Sequence, residues 1–359
     1  MRIALLATGF FKQTKEATKI TILGLAREYI RAGHEAAVIT PRLENLPDYE
    51  KIDGVQVYRV GGSGSSILSF ATGVSKVQKE IGKFDIIHGF SAAPLFVLRS
   101  FLSRLFHSRK ARIVHSLKSY SRNSLGHKFF GLLNLADVVS VPTQTYAKKL
   151  VQHGCRNVRV IHSNIDTKRF VPSRKGKGKV VFYYGAMGEW KGTDVLIKAM
   201  PLVIQKHPDV KFVFAPRDPI YAQRFFPELK KIGHFEVITK DIDIVTYVNK
   251  ASMVVLPYPS LEGTEGNPSC LLESMACKTP VVTTKLPELE EIVIDGKDVL
   301  MAKPSDAESL AMQINKLLGN KKLQKQLADN AYSKALKFDN KVIADDFMKL
   351  YKKLIPVAR

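Results

Sequence analysis

Residues 254–284 read VVLPYPSLEGTEGNPSCLLESMACKTPVVTT. The stretch divides into a strand ending at Leu256, an irregular loop rich in Pro, Gly and Ser, a helix from about Ser269 to Cys277, and a second strand from Val281. Asn267 is suited to cap the helix, and Pro268 to its first position, where a missing N–H costs nothing. The free N–H groups of a first helical turn form an anion site that suits phosphate. Two carboxylates flank it: Glu265 in the loop and Glu273 one turn inside the helix. Apolar Leu271, Leu272, Met275 and Ala276 surround Glu273 in sequence, unlike the setting of a solvated helix residue.

Alternation of strands and helices extends outward from this stretch. In the first half, apolar strands are expected at Ile3–Ala7, Ala36–Thr40, Val55–Val60, Asp85–His88, Ile113–Leu117 and Val138–Val141, with a helix over Ile20–Ala32. In the second half, strands are expected at Val180–Tyr184, Lys211–Ala215 and Phe235–Thr239. Helices are expected at Thr193–His207, near Ala222–Lys231, and at Asp306–Leu318 and Lys321–Leu336. Strands alternating with helices imply doubly wound parallel sheets that collect ligands at strand C-terminal ends. A chain of 359 residues suits two such domains. The charged, Gly-rich run at 174–179 (RKGKGK) reads as a linker between them.

Composition excludes several classes. Hydrophobic residues make up 45% of the chain, ample for two cores, and no apolar run approaches the ~20 residues of a membrane span. The three cysteines make no paired framework, and the N-terminus reads as a buried strand rather than a leader, so a cytoplasmic location is expected. The net charge of +22 is uneven: residues 1–170 hold 26 Lys/Arg against 11 Asp/Glu, and residues 171–359 hold 29 against 22. From Ile86 to Ala136 there is no acid, while Arg99, Arg104, Arg109, Lys110, Arg112, Lys118, Arg122 and Lys128 all occur. Such a field attracts polyanions. Pro94–His107 interleaves Leu95, Phe96, Leu98, Phe101, Leu102, Leu105 and Phe106 with Arg99 and Arg104, which reads either as a packed helix or as an interfacial one on anionic lipid; Ser119–Leu133 extends the same surface. No nucleic-acid reader motif accompanies the charge, so nucleic acid is not expected as a partner.

The stretch at 254–284 resembles the E-x7-E donor site of retaining glycosyltransferases of the GT-B fold, family 4 in particular. It does so through Pro259, Ser260, Glu265, Gly266, Leu272, Glu273, Ser274, Met275, Ala276, Pro280, Val281 and Val282. Val158–Pro172 resembles the segment between the family's two domains through Asp166, Phe170 and Pro172, with Ser163-Asn164 in place of Asn-Gly. Residues 30–40 (IRAGHEAAVIT) resemble its second strand. The resemblance implies two Rossmann-like domains facing a cleft: an acceptor domain over 1–170, a nucleotide-sugar domain over 171–338, and a C-terminal helix over 339–359 that returns to the first domain.

Residue roles follow by resemblance. Gly185–Gly192 (GAMGEWKG) corresponds to a diphosphate-binding motif whose Lys is Lys191, but whose Arg is replaced by Ala186. Arg217 is the candidate substitute for that cation. Glu273 is expected on the ribose hydroxyls. Glu265 is expected on the donor sugar beside Gly266 and Asn267, and the amides of Ser269 and Cys270 on the diphosphate. Gly185 would allow the phosphates to approach closely. In the first domain, His115 lies where the family has a His near the leaving phosphate, and Gly9 and His88 are expected on the acceptor side. Gly9 stands alone where the family often has a Gly pair. His115, Glu265 and Lys191 are the expected catalytic set.

Neither a cofactor nor a metal is expected. Asp241 and Asp243 resemble a metal-binding D-x-D, yet they stand at a helix start where capping explains them. The implied function is retaining transfer of a hexose-type sugar, with UDP- or GDP-sugar as co-substrate, to a lipid or lipid-linked glycan hydroxyl on the cytoplasmic face of a membrane. The alternative is a related sugar-nucleotide epimerase or a non-catalytic sugar-nucleotide binder, which the missing Arg keeps open.

Overall fold

The computed structural model describes residues 1–10, 17–62, 66–119, 125–173, 176, 178–262 and 264–355. Residues 11–16, Arg122, and Arg174, Lys175 and Lys177 of the expected 174–179 linker fall outside these residues, as does the Lys128 side chain; Lys179 of that run opens a strand. Two compact units make up the chain: Met1–Asn164 with Asn340–Arg359, and Ile165–Asp339.

In the first unit, β1 (Arg2–Leu6), β2 (Glu35–Pro41), β3 (Tyr49–Ile52), β4 (Val55–Val60), β5 (Ile86–Phe90), β6 (Arg112–Ser116), β7 (Val138–Val141) and β8 (Val158–Val160) form one sheet in the order β3-β4-β2-β1-β5-β6-β7-β8. Every neighbouring pair is parallel except β3 with β4. The run Ile3, Ala4, Leu5 and Leu6 is fully buried, as a central parallel strand covered on both faces requires. The edge strand β3 carries Tyr49, Glu50 and Lys51, too polar to stand out as a strand in the sequence. Its Glu50 pairs with Arg59, whose side chain is fully buried and also donates to the Phe10 carbonyl at 2.8 Å.

In the second unit, β9 (Lys179–Gly185), β10 (Val210–Pro216), β11 (Phe235–Val237), β12 (Met253–Leu256), β13 (Val281–Thr284) and β14 (Leu300–Ala302) form a parallel sheet in the order β11-β10-β9-β12-β13-β14. The order reverses between β9 and β12, and in the first unit between β1 and β5. Crevices for ligands open at such reversals, beyond the C-terminal ends of the strands. The loop at 185–192 leaves β9 and the loop at 257–268 leaves β12, so the parallel topology brings together the two stretches that carry the motifs.

The chain passes between the units after Asn164 rather than at 170. Ile165 and Phe170 are the reason: both are buried in the core of the second unit, and Ile165 N donates to the Phe338 carbonyl at 2.8 Å. The C-terminal helix, Asn340–Leu354, belongs to the first unit, where Ile343, Phe347 and Tyr351 pack against Ile22, Leu25 and Tyr29 of the helix Ala17–Arg31. Asn164, last residue of the first crossing, donates its side-chain amide to Thr21 O at 3.1 Å and to Asn340 Oδ1 at 2.6 Å. Asn164 does not take up the left-handed backbone that an Asn-Gly pair would supply. The region expected to be one helix over Ala222–Lys231 is three short pieces, Pro219–Ala222, Gln223–Phe225 and Phe226–Ile232. Pro227, without an N–H to continue an α-helix, stands just inside the last of them.

Candidate active site

The second-unit site is built on the helix Ser269–Ala276, which follows β12. Pro268, rather than Asn267, stands at its N-cap, and Asn267 is fully buried beneath the turn. Pro268 O accepts from Leu271 N at 3.0 Å and Leu272 N at 3.3 Å. That leaves the amides of Ser269 and Cys270 at the open end, where the helix has no carbonyl to offer them and its dipole favours an anion. Glu265, Ser269, Cys270 and Glu273 are all part-exposed, whereas Gly266 is buried.

Across from this turn runs the loop leaving β9. Gly185 has φ +111°, and a Cβ there would stand 3.7 Å from Cys270 Sγ. The loop ends in the short turn Glu189–Lys191 and in Gly192, which has φ +73°. A Cβ on Gly192 would fall 1.8 Å from Pro257 O, so only glycine lets this loop lie on the chain leaving β12. Lys191 thereby reaches the second loop: its Nζ donates to Thr264 Oγ1 at 2.6 Å and lies 5.3 Å from the centre of the Tyr258 ring. Burial lowers the Lys191 ammonium to about 8; Cys270 and Glu265 counteract this, and the Arg217 charge adds to it. Arg217 is exposed, and its backbone N donates to Gly185 O at 2.8 Å. Lys191, Arg217, Glu265 and Cys270 thus share one electrostatic neighbourhood.

Glu273 Oε2 accepts from Tyr184 Oη at 2.9 Å. Burial raises this carboxyl to about 7, while the Tyr184 hydrogen bond and the Arg169 charge pull the other way. Burial likewise pushes the Cys270 thiol up to about 12, so it is no thiolate nucleophile at neutral pH. Tyr184, Thr264 and Tyr258 are site residues that sequence reasoning missed. A tyrosine as the last residue before a Gly-rich loop was the available signal for Tyr184, and it does not say which helix the hydroxyl meets.

The first-unit candidates divide. His115 lies on β6 with its ring over Gly89, where a Cβ would come 3.1 Å from Nδ1, and 6.4 Å from the Phe96 ring. It is fully buried, and burial lowers it to about 4 against a weaker upward pull from the Ser91 backbone. His88 does not face an acceptor. It is fully buried, with Nδ1 bound to Tyr351 Oη at 2.6 Å and Nε2 to Ser116 Oγ at 2.7 Å, so both nitrogens are occupied by the protein. Gly9 is part-exposed after β1 with φ +32°.

Asp243 caps the helix Ile244–Lys250, accepting from the amides of Val245 and Thr246. Among the described residues, no group of three or more His, Cys, Asp or Glu is placed to hold a metal ion.

The basic stretch is partly consumed by structure. Arg99 lies 4.9 Å from the Phe70 ring centre and 5.1 Å from that of Phe96, Arg104 and Arg112 both pair with Asp137, and Lys118 is buried. Arg109 and Lys110 are exposed just past the helix Val97–His107, and Leu105 and Phe106 near its end are each 44% exposed. No helix among the described residues is long and apolar enough to cross a membrane.

Residues 19–169 match the pattern described as Glycosyltransferase Family 4, and residues 164–334 match Glycosyl transferases group 1. An uncharacterised glycosyltransferase of Methanocaldococcus jannaschii is 26% identical over 98% of this chain and 98% of its own length. A GDP-mannose-dependent alpha-(1-6)-phosphatidylinositol monomannoside mannosyltransferase of Mycolicibacterium smegmatis is 24% identical over 88% of this chain and 89% of its own. The solved sucrose-phosphate synthase of Thermosynechococcus elongatus superposes with a TM-score of 0.83 over 98% of each chain at 19% identity, a likeness of fold. With two parallel-sheet units and both halves matched by glycosyltransferase patterns, the chain belongs to the glycosyltransferases of the GT-B fold.

Proposed function

We propose that the protein moves a hexose from a UDP- or GDP-linked sugar to a hydroxyl of a lipid or lipid-linked glycan, with retention of anomeric configuration and without a metal or cofactor. The observation that carries this reading is the gathering of Lys191, Glu265 and Glu273 about the first turns of one helix at the β9/β12 reversal. Glu273 accepts from two vicinal ribose hydroxyls, as a carboxylate can do at once. Lys191 and the amides of Ser269 and Cys270 meet the diphosphate and stabilise the charge it gains as the glycosidic bond breaks. Glu265 holds hydroxyls of the donor sugar. His115 serves near the leaving phosphate, and with retention that phosphate itself assists removal of the acceptor proton from the same face.

Lipid as acceptor is supported by the mycobacterial relative, which is named for action on a phosphatidylinositol mannoside. Support also comes from the exposed Leu105 and Phe106 beside Arg109 and Lys110, an apolar edge with a cationic flank suited to the cytoplasmic face of an anionic membrane.

The test begins with thermal unfolding in UDP, GDP, ADP and their common sugar conjugates, on wild type and Glu273→Ala. A ligand at ~100 times its dissociation constant adds about 2.7 kcal/mol. One nucleotide stabilising the wild type and not the variant identifies the donor class; stabilisation by none would overturn the donor site. The stabilising sugar conjugate is then offered with lipid extracts in chelator, and the product anomer is read by NMR. Inversion, or loss of turnover in chelator, would refute the corresponding part of the proposal. Turnover of the sugar nucleotide with no acceptor present would instead favour the epimerase reading, which Ala186 in place of the second phosphate cation favours. Failure to sediment with anionic vesicles at low salt would remove the membrane surface.

A further inference from the structure

Along β9 the side chains alternate, so Phe182 and Tyr184 enter one core of the second unit while Val181 and Tyr183 enter the other. The Tyr184 ring stacks on Phe182 at 5.2 Å with an angle of 14° between the planes, which leaves it little freedom. From there its hydroxyl arrives at the site helix, 2.9 Å from Glu273 Oε2, 3.0 Å from Cys270 O and 3.5 Å from Ser274 Oγ. A phenol has one proton to donate among these acceptors. Ser274 Oγ already donates to Cys270 O at 2.7 Å, so that carbonyl is served without Tyr184. The carboxylate is the nearest of the three acceptors and the charged one, so the phenol donates its proton in a hydrogen bond to Glu273.

We propose that Tyr184 is a positioning residue for nucleotide binding: it holds one oxygen of an ionised Glu273, fixes the plane of the carboxylate and leaves the other oxygen to the ribose. This rests on Glu273 being the ribose-binding group of the donor site. The consequence is proton-linked binding. Glu273 is poised near neutrality by burial, opposed by Tyr184 and Arg169 and reinforced by Glu265; Tyr258 and Cys270 lie in the same field and stay protonated. Ribose hydroxyls are donors to an ionised carboxylate, so binding draws the proton from Glu273, and affinity climbs with pH up to about 7 and then levels on this limb. Without the phenol the ionised form loses a charge-assisted hydrogen bond and the limb moves upward.

The experiment is isothermal titration of the intact protein with the nucleoside diphosphate that stabilises it, between pH 5.5 and 9, in buffers of differing ionisation heat. Wild type is expected to release protons on binding at neutral pH, with the rising limb centred near 7. Tyr184→Phe is expected to move that limb up by about one pH unit and to weaken binding about tenfold at pH 6.5, with the difference from wild type closing toward pH 9, where both proteins lose affinity as Lys191 deprotonates. Glu273→Gln should show no rising limb and no proton release from this group.

Ser274→Ala, which leaves Cys270 O to compete for the phenolic proton, should shift the limb the same way by less, and serves if Tyr184→Phe does not fold. Tyr183→Phe removes another buried hydroxyl, the one donating to Ala186 O at 2.6 Å, and should leave the limb in place. Equal weakening of Tyr184→Phe at every pH, or a profile superimposed on wild type, would overturn the proposal and leave Tyr184 a packing residue. A wild type that binds no nucleotide at any pH would instead sink the donor-site reading, and this inference with it.

Discussion

Tyr351 in the C-terminal helix hydrogen-bonds His88 in β5 at 2.6 Å, across 263 residues of chain. The contact belongs to a buried series. Tyr351 Oη also meets Tyr29 Oη at 3.2 Å, and His88 Nε2 meets Ser116 Oγ, which in turn meets Ser140 Oγ at 2.5 Å. Helix and sheet are thus joined by polar groups that have no access to water. Tyr351→Phe should cost about 1–3 kcal/mol, because His88 Nδ1 is left buried without a partner. Tyr351→Ala should cost about 3–5 kcal/mol through the added cavity. Urea denaturation monitored on both units checks this; a Tyr351→Phe protein as stable as wild type would deny the contact its weight.

His115 makes stability dependent on acid. Its folded value, about 4, lies below the ordinary 6.5 because burial penalises the imidazolium. A lowered value means the unfolded chain takes up the proton first. The contribution is therefore complete above pH 6.5 and is lost as pH falls toward 4, on the order of 3 kcal/mol. His115→Gln should flatten that part of the profile, and the slope that remains includes His88 and His34, whose values burial also lowers, opposed by Glu273, whose value burial raises. Stability measured by denaturant at several pH values reads this out.

In the proposed donor site, Lys191 should set the alkaline limit of nucleotide binding. Its free-protein value of about 8 means that the cation facing the diphosphate is lost as pH rises through 8. Affinity for a nucleoside diphosphate should therefore fall above that pH by up to tenfold per unit, and Lys191→Gln should bind about 10–100-fold more weakly at pH 7 with no alkaline limb. A limb that persists in the variant would assign it to another group.

In the proposed donor site Arg217, whose backbone N donates to Gly185 O, would supply the cation missing at Ala186. Exposure limits its strength. Arg217→Ala should weaken a nucleoside diphosphate about fivefold and the unphosphorylated nucleoside not at all, with the difference shrinking in high salt. Equal loss for both ligands would place Arg217 away from the phosphates.

Gly192→Ala should be the costliest of the glycine substitutions in the site loops. The new Cβ would meet Pro257 O at 1.8 Å in a backbone of φ +73°, so strand-to-helix loop and Pro257 must part. A loss of about 2–4 kcal/mol is expected, together with weaker nucleotide binding. Gly54→Ala, with φ +83° and nothing within 4 Å of its Cβ, should cost only about 1 kcal/mol.

Most of the architecture was legible because parallel strands buried on both faces advertise themselves. Val55–Val60, Val138–Val141, Met253–Leu256 and Val281–Thr284 stand where their apolar runs place them. Strand β3 was not legible, since an edge strand with one solvated face needs no such run. Asn267 looked like a cap because Asn so often is one, yet the turn buries it and sets Pro268 at the helix boundary.

By itself, the sequence determined the alternating parallel architecture, the glycosyltransferase motif at 254–284 and the loop that carries Lys191. Each of these is written in neighbours a few residues apart, where periodicity and turn chemistry act. Only the tertiary structure decided that His88 belongs to Tyr351, that Tyr184 reaches Glu273, and that Arg99 lies on Phe70 and Phe96 rather than in solvent. Those partners are set by the order in which the strands lie side by side, with β5 beside β1 and β9 beside β12. A hydroxyl or an imidazole shows the same letter in the chain whether it meets water, substrate or another side chain; what it meets depends on what the sheet brings to within 3 Å of it.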